Sequence, residues 1–168
     1  MKCQECRGEM TSRREAHRYV ESGLPNVTLV DVEVRQCPRC GERTVGIPRV
    51  EELHRLLALE LARKPERLLP NEIRFLRKYL GLSGVDFAER MRVDPATVSR
   101  WEREQEPQPM GPQAELLLRL MAVRDRPVSD YTEESMEGAA RADAAPLSVR
   151  LRPSRGGWRH DDADRDAA

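Results

Sequence analysis

The sequence predicts an α+β protein made of a small β-containing part, an all-helical part and a tail. Four cysteines, the only ones among the 168 residues, stand in two Cys-x-x-Cys pairs on either side of a β-like stretch. Helical periodicity interrupted by short turns then runs from residue 70 to residue 126. From residue 127 onward aliphatic residues are scarce and charged residues frequent, which is typical of a disordered segment. The predicted parts are a cysteine-containing domain at 1–64, a connector at 65–69, a helical domain at 70–126 and a largely disordered tail at 127–168.

Composition limits the expected partners and compartment. The 29 basic and 29 acidic residues cancel, so net charge neither indicates nor excludes nucleic acid, and only a local basic face could bind it. No run of about 18 apolar residues is present, and the first residues do not resemble a secretory leader. We therefore expect no membrane partner and a cytoplasmic protein whose thiols stay reduced.

A hairpin and a helix are predicted in the first part. Apolar and charged side chains alternate over Val27–Arg35, which predicts a half-buried strand. The residues predicted on its buried face are Thr28, Val30, Val32 and Val34. The turn-like SGLPN before it predicts a hairpin with Arg13–Glu21. A helix follows from Pro48 to Lys64, ended by Pro65. Its predicted apolar stripe is Val50, Leu53, Leu57 and Leu61.

The cysteine spacing predicts a metal site. The four residues are Cys3, Cys6, Cys37 and Cys40. Zn²⁺ takes four tetrahedral ligands, and thiolates two residues apart on a tight turn can supply two of them. We predict one structural Zn²⁺ per chain, with Gly8 and Gly41 supplying the positive φ angles that tight turns need. Binding on the order of 10 kcal/mol would stabilise a region with so little core.

Other uses of the cysteines remain as alternatives. Disulfides need an oxidising compartment, and a redox Cys-x-x-Cys usually follows a strand and opens a helix. A catalytic zinc leaves one ligand position open, whereas four cysteines close the shell. His17 or His54 could replace one cysteine. A closed structural site is favoured, and we do not expect an enzyme.

Four helices are predicted over residues 70–124. The first ends near Gly81, the second begins after the N-cap Ser83, and the third begins with Asp94 as N-cap and Pro95 at its first position. The last helix is QAELLLRLMAVR. Its predicted inward residues are Leu116, Leu117, Leu120 and Met121.

The second and third of these helices form a helix-turn-helix pattern, in which the later helix lies in the major groove of DNA. Pro95–Glu104 is the predicted reading helix, and Arg100 is the best candidate for base readout because arginine can bond guanine bidentately. The predicted DNA-contacting residues are Ala96, Thr97, Ser99 and Arg100, with Arg92 and Arg103 at phosphates and Arg74, Arg77 and Lys78 as weaker phosphate candidates. Val98 and Trp101 are predicted to pack inward. The alternative is a helical bundle with a solvated, arginine-rich face.

The stretch SGVDFAERMRVDPATVSRWERE resembles the Cro/repressor-like (Xre) helix-turn-helix family. The matching positions are Leu82-Ser83, Phe87-Ala88, Val93 and Val98–Glu102. Many members carry a phosphate-contacting Gln where this chain has Gly84, so that contact is not carried over.

A zinc domain followed by such a domain is similar to the MqsA-type antitoxin family, which has a YgiT-type zinc finger, over roughly residues 1–124. The resemblance implies that the four cysteines bind zinc, that the zinc domain binds a ribonuclease toxin, and that the helical domain forms a homodimer repressing its own operon. Arg100 matches the arginine with which that family reads DNA. Ala96 stands where the family has Asn, which implies a different operator or a substitute role for Thr97.

The leading hypothesis is therefore a dimeric repressor that binds double-stranded operator DNA and serves as an antitoxin. A stand-alone regulator without a toxin is the alternative, and a neighbouring toxin gene would separate the two. A redox enzyme would have reactive thiolates and little zinc, while a protein-binding adaptor would lack salt-dependent DNA affinity. Within the tail, PLSVRLR at 146–152 is a candidate binding segment.

Overall fold

The computed structural model describes residues 1–124 and 143–161. The chain divides into two compact units. The first contains Met1–Tyr19, Asn26–Leu53 and Ser148–Ala168, and the second contains Val20–Pro25 and His54–Leu147. Within the described ranges, no helix is both long and apolar enough to cross a membrane.

A five-stranded sheet forms the first unit. Its strands are β1 (Thr11–Arg18), β2 (Asn26–Gln36), β3 (Arg43–Gly46), β4 (Ser148–Ser154) and β5 (Gly157–His160). The order is β1-β2-β4-β5, and β3 also pairs with β2. The predicted hairpin is present, because β1 and β2 pair antiparallel. On the opposite edge of β2, β3 pairs with residues 33–36 and β4 runs parallel to residues 26–29.

A bulge changes the predicted alternation of β2. Glu15 pairs with Val32 and His17 with Leu29, so two residues of β2 oppose one residue of β1. Asp31 lies in this bulge with φ +57°. A bulge of one residue moves the side chains on one side of it to the other face of the strand. The prediction that Thr28 lies on the buried face is therefore wrong. The buried residues are Val27, Leu29, Val30, Val32 and Val34.

Residues 148–160, predicted to belong to a disordered tail, form β4 and β5 instead. Arg49 fixes this hairpin, since its guanidinium donates to the carbonyls of Ser154, Arg155 (3.1 Å) and Gly157 (2.9 Å). Trp158 adds a hydrogen bond from Nε1 to a carbonyl, that of Pro48, at 3.0 Å. The missed signal is the alternation of Val149 and Leu151 with arginines. The rest of the predicted tail, 127–142 and 162–168, lies outside the described residues.

The long helix α1 (Val50–Arg63) has its first four residues in the first unit and the others in the second. Leu53, Leu57 and Leu61 are fully buried, as the predicted stripe requires. Val50 is the exception at 41% exposed. It begins the helix, where a side chain has no preceding turn to pack against.

Four further α-helices lie in the described part of the second unit. They are α2 (Pro70–Tyr79), α3 (Gly84–Met91), α4 (Pro95–Trp101) and α5 (Pro112–Val123). The predicted caps are confirmed: Ser83 Oγ accepts from the amide of Asp86 at 3.1 Å, and Asp94 accepts from the amide of Ala96 at 2.7 Å. Because a cap supplies a partner for an otherwise orphaned amide, these residues set where α3 and α4 begin.

Buried charges fix the connector predicted at 65–69. Arg119, only 1% exposed, donates to the carbonyl of Lys64 at 2.5 Å and to Glu115 at 2.7 Å. Glu115 also accepts from the amide of Leu68 at 3.0 Å. Burying a charge is costly unless it is paired and hydrogen-bonded. These contacts therefore hold the connector against α5.

The same contacts explain why α5 faces differently from the prediction. Its buried residues are Glu115, Leu118, Arg119, Ala122 and Val123. The residues predicted inward form an outer strip of half-buried or exposed side chains, with Leu117 at 42% exposure. This outer strip of α5 consists of Leu116, Leu117, Leu120 and Met121. Apolar periodicity alone favoured the outer strip because it counts the buried, paired Glu115 and Arg119 as polar.

Candidate metal centre and candidate nucleic-acid interface

Two loops of matching geometry carry the cysteines. In the first, the amide of Cys3 donates to the carbonyl of Gly8 at 2.8 Å, and the amide of Arg7 donates to the carbonyl of Cys3 at 3.0 Å. The second loop makes the same two bonds, at 2.8 and 2.9 Å, between the equivalent residues Cys37, Glu42 and Gly41. Each loop therefore turns its two thiols toward the same side.

The glycines of the loops have different roles. Gly41 has φ +78°, as predicted, but in the first loop the positive φ belongs to Arg7, at +58°. Gly8 is needed for space. A Cβ placed there would lie 3.3 Å from Cys6 Sγ and 3.4 Å from Cys37 Sγ, and 2.9 Å from a carbon of the Arg39 side chain. The prediction that Gly8 supplies a positive φ is therefore wrong. Glycine is required at this position because a side chain would crowd the sulfurs.

The structure brings together the four sulfurs predicted to bind metal. All four Sγ atoms lie within 4.8 Å of one another. Cys3 and Cys40 are 3.5 Å apart and Cys6 and Cys37 are 3.4 Å apart, and all four thiols are free. A tetrahedral ion with bonds near 2.3 Å sets its ligands about 3.8 Å apart, whereas a disulfide needs about 2.05 Å. The cluster therefore fits a four-thiolate metal site.

Thiol electrostatics points the same way. The backbone N–H of Cys40 donates to the sulfur of Cys37 and lowers the pKa of that thiol to about 6. For Cys40, the backbone N–H of Glu42 acts to lower the pKa, but the neighbouring sulfurs, Cys3 first, outweigh it and raise the pKa to about 12. Four thiolates this close repel one another unless a cation balances them. A divalent ion would supply that charge.

The helix-turn-helix geometry is built on a left-handed residue and an aromatic anchor. Arg92, between α3 and α4, has φ +57° and ends α3. Val98 and Trp101 are buried, and the Trp101 ring packs edge-on against Phe87 with centroids 6.4 Å apart. Since one face of α4 is fixed in the core, the opposite face is directed outward.

The predicted reading residues lie on that outer face. Ala96, Ser99 and Arg100 are exposed and Thr97 is half-buried. The Arg100 guanidinium donates to Thr97 Oγ1 at 2.8 Å, while Ser99 Oγ donates to a carbonyl within α4, that of Pro95, at 3.2 Å. We name Ala96, Thr97, Ser99 and Arg100 the reading face. The predicted phosphate contacts, Arg92 and Arg103, are also exposed, and neither forms an ion pair with the residues that the structure describes.

Two of the weaker phosphate candidates have a structural role instead. Arg77 donates to both carboxylate oxygens of Glu102, at 2.5 and 2.8 Å, and to the carbonyl of Leu82 at 2.8 Å. These bonds with Glu102 raise the pKa of Arg77. Arg74 binds the carbonyl of Glu102 and lies 3.3 Å from Glu104. Both arginines join α2 to the end of α4. The sequence signal for this role is their spacing of three, which places them on the same face of α2 so that both can reach Glu102.

The acidic residues near the reading face are largely occupied. Asp86 and Asp94 cap helices, and Glu102 holds two arginines. Hydrogen bonds from Ser83 lower the pKa of Asp86. The remaining predicted phosphate candidate, Lys78, is exposed. A region with nearly balanced charge thus keeps cations available for an anionic partner.

Comparison with known proteins agrees with this geometry. Residues 73–124 match the family model described as helix-turn-helix. Searches of curated proteins and of solved structures gave no match to the chain. The match covers α2 almost from its start through α5, including the capped turn and the reading face. Residues 73–124 are therefore a helix-turn-helix domain, the DNA-binding element of a transcriptional regulator.

Proposed function

We propose that the protein is a sequence-specific transcriptional repressor that reads its operator with the reading face of α4. The observation that carries this proposal is the arrangement of α4 itself. Val98 and Trp101 hold one side in the core while Arg100 lies exposed on the other. Arginine bonds O6 and N7 of guanine bidentately, and each good base contact of this kind discriminates by about 1–3 kcal/mol.

Arg100→Ala tests the readout, with Arg103→Ala as the matched control. We expect Arg100→Ala to weaken operator binding by about 1–3 kcal/mol and to leave scrambled DNA nearly unaffected. Arg103→Ala should weaken both DNAs alike, because a phosphate contact carries no sequence information. Fluorescence anisotropy at fixed salt measures both affinities. Equal losses on operator and scrambled DNA for Arg100→Ala would exclude a base contact.

We further propose that the repressor is a homodimer joined through the outer strip of α5. This strip is apolar and lies on the side of α5 away from the connector. Two reading helices on half-sites about 34 Å apart need such a symmetric contact. Leu117→Glu should give a monomer by light scattering, while Val20→Glu, at a similarly exposed apolar residue, should not. A native chain that is monomeric on and off DNA would contradict the dimer.

The cysteine cluster is proposed to hold one Zn²⁺. Four thiolates select zinc or another thiophilic metal over magnesium or calcium. Elemental analysis should give one zinc per chain, and cobalt substitution should give the absorption of a tetrahedral thiolate site. Purified chain without stoichiometric metal, or with disulfides in its place, would refute the assignment.

We propose more specifically that this repressor is an antitoxin whose zinc domain neutralises a ribonuclease toxin. It is supported by the order of a four-cysteine domain and a helix-turn-helix domain in one chain. The family match is confined to residues 73–124, so a stand-alone regulator is the second candidate. Co-expression with the product of a neighbouring small gene separates them. Rescue of growth arrest and co-purification support an antitoxin, and the absence of both favours the stand-alone regulator.

A further inference from the structure

A cavity of about 350 Å³ opens in the second unit beside the end of α4. This volume is within the range of small-molecule sites, about 300–1,000 Å³. Its buried walls are apolar and include Leu68, Ile73, Trp101 and Met110. Its rim is formed by the loop 107–109 and by two exposed residues, Asp143 and Ala144.

Two residues of opposite charge, Arg67 and Asp143, line this cavity. Arg67 and Ala144 form an isolated parallel bridge, so Asp143 lies next to the backbone partner of Arg67. Arg67 uses Nε for Glu115, at 2.6 Å, and Nη2 for the carbonyl of Met110. Among the described residues, Arg67 Nη1 and the Asp143 carboxylate have no hydrogen-bond or ion-pair partner. One guanidinium nitrogen and one carboxylate are thus available to a ligand.

We propose that the cavity binds an apolar α-amino acid. Its side chain would pack against Trp101 and Ile73, its carboxylate would accept from Arg67, and its ammonium group would donate to Asp143. Hydrogen bonds between charged groups are the stronger ones. A neutral apolar molecule would leave both charges unused, and a simple carboxylic acid would leave Asp143 unpaired. In an α-amino acid the two charges flank a single carbon, so one small ligand can pair with both residues, whose backbones lie close together through the Arg67–Ala144 bridge.

The cavity is also connected to the reading face. Trp101 belongs to α4, and the amide of Gln108, on the cavity rim, donates to the carbonyl of Arg100 at 3.2 Å. A ligand against Trp101 and this loop acts on the C-terminal end of α4, so it would change operator affinity. This second step rests on the proposed function, whereas ligand binding itself does not.

Calorimetry on the full chain without DNA tests the binding. L-Phenylalanine and L-leucine are the probes, and L-phenylalaninamide and N-acetyl-L-phenylalanine each remove one ligand charge. We expect saturable 1:1 binding of the amino acids. The dissociation constants of both analogues should be higher by about tenfold or more, because each analogue loses one charged hydrogen bond. Absence of saturable binding to the native chain, or equal binding of the analogues, would overturn the proposal.

Two variants at exposed rim positions locate the site. Asp143→Asn should bind L-phenylalanine and N-acetyl-L-phenylalanine equally and still reject the amide. Ala144→Phe should fill the cavity and abolish binding without lowering the melting temperature. Unchanged binding by Ala144→Phe would place the ligand elsewhere.

The effect on DNA is measured separately. Saturating L-phenylalanine should change operator affinity by about fivefold or more, a usual lower limit for coupled sites. Ligand binding without this change would refute the effector role and leave the site intact. Failure of the ligand-free chain to bind any operator would refute the repressor function and not the site.

Discussion

The pair formed by Glu102 and Arg77 makes the sharpest prediction about what holds the reading helix. Glu102 is 9% exposed, and its two oxygens accept from Arg77 at 2.5 and 2.8 Å. The Arg77 side chain is 12% exposed, and Arg74 lies 3.6 Å from the same carboxylate. Glu102→Gln keeps the shape of the side chain and removes the charge. Two guanidinium groups would then share one neutral acceptor.

The expected loss follows from this burial. Breaking a fully buried ion pair by removing one partner costs about 3–5 kcal/mol. Arg77 keeps some access to water and the glutamine can still accept one hydrogen bond, so we expect about 2–3 kcal/mol. For a domain of 60–100 residues each kcal/mol lowers the melting temperature by about 4–8 °C, which gives a decrease of roughly 8–24 °C.

Urea unfolding followed by tryptophan fluorescence measures the loss. The chain has two tryptophans, so a Trp158→Phe background leaves Trp101 as the reporter beside the substitution. Glu104→Gln is the control, since that side chain is 70% exposed and lies 3.3 Å from Arg74. A surface pair of this kind contributes about 0–1 kcal/mol. Equal losses in the two variants would refute the claim that Glu102 anchors α4 to α2.

Further predictions concern the cysteine loops and the helix caps. Gly8→Ala should weaken zinc binding by crowding Cys6 and Cys37, while Gly46→Ala, where a Cβ meets nothing closer than 3.5 Å, should not; competition with a chromogenic chelator measures both. Cys37→Ser should abolish zinc binding and leave operator binding intact, and a joint loss would contradict independent units. Ser83→Ala should cost about 0.5–2 kcal/mol at neutral pH. Because the folded pKa of Asp86 is lowered by Ser83, the part of this difference due to the Asp86 carboxylate is present above the unfolded pKa and disappears as pH falls through the folded one. Urea melts from pH 7 to pH 2.5 follow it.

The features that the sequence predicted well depend on residues close together in the chain. Ser83 and Asp94 could be predicted as caps because a cap acts within three residues. These two caps in turn gave the starts of the two helices of the helix-turn-helix. The metal cluster was predictable because each Cys-x-x-Cys loop turns locally and brings its own two thiols together. The positive φ at Gly41 was equally local.

The features that were missed depend on distant partners. The pairing of β4 with β2 joins residues more than a hundred positions apart, and nothing local to Val149 shows that Val27 has an open edge. The phase of β2 changes at Asp31 because of a bulge that only the paired strand reveals. Likewise, Arg119 is buried because the carbonyls of Lys64 and Glu66 accept from its guanidinium. A polar residue with a distant partner looks like a surface residue in the sequence.

The balanced charge of the chain is consistent with DNA binding once each charge is assigned to its contacts. Asp94 and Glu102, on either side of the reading face, are bound to a helix amide and to arginines. Arg92 and Arg103 have no ion-pair partner in the described ranges and are exposed. Phosphates interact with the charges that remain accessible, and the formal sum over the chain does not describe those. Asp94 and Glu102 are among the acidic residues that cancel the net charge, and they also cap α4 and join its end to α2. Removing them would add positive charge, but it would also release the helix that must present Arg100.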